Sequence, residues 1–279
     1  RPHVLVMSAT PIPRTLALMI YGDLDLSVID QLPPGRTPVA TYLIREDKRA
    51  RLYAFVRKQV AQGRQVYIVC PAVDQEDPEG LKAAEQYGRQ LQEEVFPDLR
   101  VGIVHGKQKA RDKQGVMAAF AAGESDILVS TTVVEVGVDV PNATCMVVEN
   151  ADRFGLSQLH QLRGRVGRGK AKSYCILLSD SQNEETRARL KVMTQTNDGF
   201  RISQEDLRLR GPGDFFGQRQ HGLPAMKIAD LSCDMRLLDE AQTAARQLMA
   251  RDPELTEPTH QALRDRIRQL FDTNADMLN

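Results

Sequence analysis

Short, continuously apolar runs alternate with amphipathic stretches through the middle of the chain. Val66–Cys70, Val101–Val104, Asp126–Ser130, Cys145–Val148 and Tyr174–Leu178 read as strands. The segments 51–62, 81–95 and 113–122 read as helices. In the first, Leu52, Phe55, Val56 and Val60 share a face, and Gly63 closes the C-terminal side. Gly123 ends the third in the same way. Strands that are apolar at consecutive positions are buried on both faces. Their alternation with helices predicts an α/β fold, a parallel sheet sandwiched by helices. Ligands of such sheets bind beyond the carboxyl ends of the strands.

The flanks read differently. Val4–Met7 is a short strand that runs into Ser8-Ala-Thr-Pro-Ile-Pro13, a strand-end loop, and 15–20 is a short helix. Gln31–Pro38, rich in proline, is a linker. From Asn183 the chain becomes charged. Helices are expected at 184–195 and, capped by Ser203, at 203–210, with a turn at Asn197–Phe200 between them and a break at Gly211-Pro-Gly213. Two amphipathic helices follow. The first, 234–250, turns Leu237, Leu238, Ala241, Ala245 and Leu248 inward; the second, 258–271, does so with Leu263, Ile267 and Leu270. Three regions result: 1–38, 39–182 and 183–279.

The 279 residues hold 37 basic and 37 acidic side chains, so net charge identifies no partner. Local charge does more, because Arg and Lys outnumber Asp and Glu between Arg153 and Lys191. That imbalance points to a polyanion site. Cys70, Cys145, Cys175 and Cys233 show no metal-ligand spacing and read as small apolar residues of a reducing compartment, with a cytoplasmic location expected. No segment is apolar enough to span a membrane, and a start at Arg1 without methionine hints at a piece of a longer protein.

The candidate chemistry centres on Gln161-Leu-Arg-Gly-Arg-Val-Gly-Arg-Gly169. Read as a helix, Gln161, Arg165 and Arg168 share one face, with Leu159, Leu162 and Val166 opposite. Arginine suits phosphate because its planar fork stays charged and bonds in pairs. The glycines admit close approach of a ligand or backbone, and offer a helix end before Arg168. A solvated basic helix end is the alternative, and it gives the glycines no purpose.

In order along the chain, these motifs resemble the C-terminal part of superfamily 2 helicases. Ser8-Ala-Thr10 resembles motif III, Ser130-Thr-Thr-Val-Val-Glu-Val-Gly-Val-Asp139 motif V, and Gln161–Gly169 motif VI. Met7–Leu16, Asp30–Pro38 and Arg208–Gly222 narrow the resemblance to the RecG family of ATP-dependent DNA helicases. The segment Gly199–Gly222 resembles a translocation motif that this family shares with the transcription-repair coupling factor. His221 departs from the usual serine there. The resemblance implies a tail of a first RecA-like domain (1–38), a second RecA-like domain (39–182), and a translocation hairpin with C-terminal helices (183–279).

It further implies ATP with Mg2+ as cofactor, bound mainly by a first motor domain. No Gly-x-x-x-x-Gly-Lys-Ser/Thr loop and no magnesium-binding Asp-Glu motif occurs in this sequence, so the chain alone is expected to be ATPase-inactive. Arg168 would act on the gamma-phosphate with Arg165 beside it, Gln161 would sense the nucleotide, and Gly137 and Asp139 would lie near the ribose. Ser8 and Thr10 would relay nucleotide state to DNA. His105, Gly106, Thr131 and Thr132 would contact DNA phosphates. Arg189 and Arg210 would hold hairpin and loop together, while Arg219 and Gln220 would engage duplex DNA. The implied partners are branched double-stranded DNA, a wedge domain and first motor domain in cis, and a single-stranded DNA-binding protein. From the residues alone, a turn cap is the preferred reading of Asp139 and a turn device that of Ser8 and Thr10; His105 is equally a bonded loop histidine, and the alternative for the hairpin is a surface appendage. Two other functions stay open: a transcription-repair coupling motor, and a non-catalytic domain that binds DNA or protein.

Overall fold

The computed structural model describes residues 36–71, 85–131, 140–215 and 235–275, with Leu5, Met7, Ser27, Ile29 and Gln31 as isolated positions. The motif III strand-loop, the 15–20 helix and most of the 31–38 linker lie outside them. Among the described residues the chain divides into two compact units, one ending at Leu209 and the other beginning at Arg210.

The first unit is built on six parallel strands: β1 (Ala40–Ile44), β2 (Gln65–Val69), β3 (Val101–Val104), β4 (Ile127–Ser130), β5 (Ala143–Val148) and β6 (Tyr174–Leu178). Their order is β1-β6-β5-β2-β4-β3. The central strands β2 and β5 are buried at every position. Alternate residues feed two cores. Tyr67, Val69, Leu128, Met146, Val148 and Leu177 point to one face, and Val66, Ile68, Ile127, Val129, Val147 and Ile176 to the other. This period of two on a sheet covered twice produces the continuous apolar runs in the sequence.

Among the described residues, five α-helices lie wholly within the unit: α1 (Arg49–Ala61), α2 (85–95, closing in the π turn Leu91–Val95), α3 (Ala110–Ala121), α4 (Leu156–Arg163) and α5 (Glu184–Gln195). α1 and α2 cover the Val66 face through Leu52, Val56 and Leu91. α3, α4 and α5 cover the other through Met117, Phe120, Leu156, Leu159, Leu162, Leu190 and Met193. The unit runs past residue 182 because α5 and Ile202 join this second core.

Three local expectations change. β1 carries no clear apolar run, because it is an edge strand paired only with β6 and Tyr42 is half exposed. The helix expected at 203–210 is α6, Gly199–Phe215, which starts earlier and continues through Gly211-Pro212-Gly213. Asp198 supplies its start: the carboxylate accepts from Phe200 N at 2.9 Å, so Ser203 is an interior, buried position rather than a cap. In the second unit, α7 (Met235–Arg251) and α8 (Gln261–Ala275) form as expected. The described positions of their stripes are not buried. Leu237, Ala241, Ala245 and Leu263 are exposed, and Leu248 and Ile267 only half-buried. Amphipathic spacing defines an apolar face and says nothing of what covers it. Between α7 and α8, Asp252 accepts from Thr256 N, Glu257 N and the Thr256 hydroxyl, which locks the turn. No described helix is long and apolar enough to cross a membrane.

The sheet's carboxyl edge is braced by an ion pair between half-buried Arg49 and buried Glu149. Arg49 grips Glu149 through two bonds of 2.9 and 2.8 Å, and the Tyr87 hydroxyl donates to Glu149 at 2.6 Å. The bond to Glu149 holds the Arg49 guanidinium well above its ordinary range, and burial raises the Tyr87 hydroxyl. Arg49 also bonds Glu46, so losing the Glu149 charge weakens the brace without leaving the guanidinium unpaired. Glu149→Gln is expected to lower the unfolding free energy by about 1–2 kcal/mol. Asp98→Asn, which loosens the exposed Arg57–Asp98 pair, should leave the urea midpoint unchanged. Equal midpoints for the two variants would contradict the bracing role.

Candidate functional site

α4 starts after Gly155, whose N–H donates to Gln158 Oε1 at 3.0 Å. It buries Leu156, Leu159 and Leu162 and ends at Arg163, with Gly164 as the C-terminal cap. The expectation of one helical face for Gln161, Arg165 and Arg168 is therefore corrected. Gln161 lies on the helix, but Arg165 and Arg168 follow it on a turn. Two constraints impose the turn. Val166 is buried and pulls the chain inward. Gly167 has φ +78°, and a Cβ there would meet Val39 Cγ2 at 2.9 Å. A Cβ on Gly169 would meet the Pro141 carbonyl at 2.8 Å. Val39 directly precedes β1 and Pro141 lies two residues before β5, so the arginine loop is pressed on the amino edge of the sheet. The expectation of ligands beyond the carboxyl ends does not cover these arginines. Arg165 is half-buried and Arg168 exposed. The Gly164 carbonyl accepts from Arg36 at 2.9 Å and from Arg168 Nε at 3.3 Å.

Arg163, to which the sequence reading gave no role, points into the fold and is 3% exposed. Its Nη1 donates to the carbonyls of Met193 and Thr196, both at 2.9 Å, and lies 3.3 Å from the Thr41 hydroxyl. Its Nη2 lies 3.1 Å from His160 Nδ1. A signal for this was present. Leu156, Leu159 and Arg163 are spaced i, i+3, i+7, so the arginine sits on the apolar face.

The opposite edge carries the other candidates. Val104 and Ser130 are paired at the ends of β3 and β4, and Thr131 N donates to Val104 O at 3.3 Å. His105 and Thr131 are thus neighbours on the carboxyl edge. His105 Nε2 lies 2.6 Å from Glu85 Oε1, and its N–H donates to Gln108 Oε1 at 3.2 Å. Its Nδ1 and the Thr131 hydroxyl are buried without a hydrogen-bond partner among the described residues. Gly106 is exposed, with its carbonyl taken by Lys113 Nζ at 2.7 Å. Lys107, Lys109 and Arg111 are exposed around it.

Arg189 donates through Nη2 to the Asp152 carbonyl at 2.7 Å, which ties α5 to the turn before α4. Ser8, Thr10, Thr132, Gly137, Asp139, Arg219, Gln220 and His221 lie outside the described residues, as does the side chain of Arg210. Cys145 and Cys175 are buried free thiols, and burial pushes Cys175 up to about 12, which keeps it unreactive at neutral pH. Asp252, Glu257 and His260 lie close enough for a metal ion, but both Asp252 oxygens already accept hydrogen bonds in the turn.

Burial, and then the Arg163 charge, lower the His160 pKa from 6.5 to about 4. A histidine kept neutral in the fold binds fewer protons than in the unfolded chain across that window. Stability is therefore expected to fall as pH drops from about 6.5 to about 4. His160→Gln should flatten this part of the profile in urea titrations at stepped pH. A variant with an unchanged slope would exclude His160 as its source.

Residues 47–170 match the family model of the helicase conserved C-terminal domain. Residues 196–278 match the model of the ATP-dependent DNA helicase RecG, domain 3, C-terminal. ATP-dependent DNA helicase RecG of Synechocystis sp. is 53% identical over 254 residues, 91% of this chain and 31% of that protein. The Bacillus subtilis RecG is 50% identical over 266 residues, 95% of this chain and 39% of that one. Among solved structures, RecG bound to a three-way DNA junction is 49% identical with a TM-score of 0.67. It covers 84% of this chain and 30% of that one. The chain spans about a third of the length of these relatives. With a RecA-like sheet, the arginine loop at its amino edge and a RecG-specific C-terminal region, the chain belongs to the RecG helicase family.

Proposed function

We propose that this chain is the C-terminal motor half of an ATP-dependent duplex-DNA translocase that remodels stalled forks and Holliday junctions. The observation that carries the reading is the separation of its polar groups to two edges of one rigid sheet. Arg165 and Arg168 stand on a loop wedged at the amino edge. His105 and Thr131, each with a buried unpartnered polar atom, stand at the carboxyl edge among exposed lysines. One edge suits the nucleotide and the other a DNA backbone. The RecG structure with a three-way junction supports branched DNA as the substrate.

ATP and Mg2+ supply the phosphoryl chemistry, and this chain's own part is charge stabilisation. Arg168 offsets charge that develops on the gamma-phosphate, Arg165 stands beside it, and Gln161 senses the nucleotide or the attacking water. Asp139 and Gly137 are assigned to the ribose. The phosphate loop, the magnesium ligands and the wedge belong to a segment outside this sequence. Ser8 and Thr10 relay nucleotide state, and closure moves the α5–α6 hairpin so that the loop carrying Arg219 and Gln220 advances the duplex. Arg189 and Arg210 hold that hairpin. Gly106 and Thr132 join His105 and Thr131 on the DNA backbone, without base preference. A single-stranded DNA-binding protein is a further partner, and the cytoplasm the location.

In the intact protein, Arg168→Ala is expected to cut ATP hydrolysis by about 1,000-fold or more. Thermal stability and duplex binding should remain. Undiminished turnover would overturn the role of Arg168, and absence of DNA-stimulated turnover in the intact wild type would favour a non-catalytic DNA-binding domain. At the other edge, a hydroxyl buried without a partner weakens the fold, so Thr131→Val should leave the melting temperature equal or higher. It should weaken duplex affinity by about 1 kcal/mol, roughly five-fold. Unchanged affinity in a fluorescence-anisotropy titration would remove Thr131 from the contact set.

A further inference from the structure

The environment of Arg163 is unusual for a buried cation. Every bond described for its guanidinium goes to a neutral acceptor: two carbonyls, a hydroxyl and an imidazole nitrogen. Burial works against its charge and lowers its pKa. The compensation is geometric. Met193 lies in the last turn of α5, and Thr196 is that helix's C-terminal cap. The guanidinium therefore sits on the negative end of a helix dipole. α5 has no basic residue in its own last turn, so the cation arrives from α4. For packing alone, an apolar side chain would continue the stripe of Leu156 and Leu159 without the desolvation cost.

What an apolar side chain cannot supply is a directional tie. Arg163 is the last residue of α4, and the next residue, Gly164, carries the carbonyl that holds Arg36 and Arg168. On its other side, the same guanidinium holds two carbonyls at the turn where α5 gives way to α6. Thr41 adds a third anchor on β1. A shift of the arginine loop therefore pulls on the hairpin turn through one side chain, with no intervening solvent-exposed contact.

We infer that Arg163 is a positioning residue that couples movement of the Arg165–Arg168 loop to the α5–α6 hairpin, so that its loss separates ATP turnover from work on DNA. The inference rests on the motor reading above. It assigns Arg163 no contact with nucleotide or DNA.

The test uses the intact protein with Arg163→Met and Arg163→Lys. DNA-stimulated ATPase and fork unwinding are measured on the same preparation, and ATP consumed per base pair unwound is derived. Arg163→Met is expected to keep ATPase within about three-fold of wild type while unwinding falls about ten-fold or more. Arg163→Lys keeps the charge at the helix end but loses the planar fork, and should recover part of the coupling. An equal fall in both activities with a lowered melting temperature would make Arg163 a purely structural residue. Unchanged ATP per base pair in both variants would also overturn the coupling role. If Arg163→Met fails to fold, Arg163→Lys carries the same comparison alone. A wild-type protein without DNA-stimulated ATPase would instead sink the motor reading, so the two failures are distinguishable.

Discussion

Val66–Val69 and Ala143–Val148 have no exposed position, and helices close the sheet on both sides. That closure governs where chemistry can occur. A polar group drawn into such an interior must find a partner, because the medium around it offers none. Functional polar side chains are therefore displaced to the ends of the strands. The carboxyl edge gathers His105, Thr131 and the Arg49–Glu149 pair, and the amino edge receives the arginine loop. α4 connects the two. It begins after β5 on one edge and delivers Arg163, Arg165 and Arg168 to the other.

The half-buried Arg49 and the buried Arg163 offset the cost of leaving water in different ways. Arg49 faces a carboxylate in a bidentate pair, which raises its pKa and braces α1, α2 and β5 against one another. Arg163 faces carbonyl oxygens at a helix end and has its pKa lowered by burial. The first arrangement serves the fold. The second ties the end of α4 to the turn between α5 and α6. Glycine plays a matching part: Gly167 and Gly169 leave room for Val39 and Pro141, and a side chain at either position would lift the loop off the sheet.

Much of the architecture was legible from periodicity. Five of the six strands, and the helices between them, follow from apolar runs separated by amphipathic ones. β1 escaped because an edge strand with exposed Tyr42 has no continuous apolar signal. The start of α6 escaped because Asp198 and Ser203 are both competent caps, and packing of Ile202 in the core selects the earlier one. The inward faces of α7 and α8 were drawn from spacing alone, while burial depends on a covering surface that spacing does not describe.

The same division holds at the site. By itself, the sequence determined the alternation of strands and helices, the clustering of arginines in Gln161–Gly169, and the presence of glycines where close approach is needed. These are local properties, written in residue type and spacing. Only the tertiary structure decided that the helix stops at Arg163, that Arg165 and Arg168 stand on a turn at the amino edge, and that Arg163 turns inward to the end of α5. Those outcomes depend on Val39, Pro141, Met193 and Thr196, which are distant along the chain and near only after folding. No period within nine residues encodes the position of a carbonyl thirty residues away.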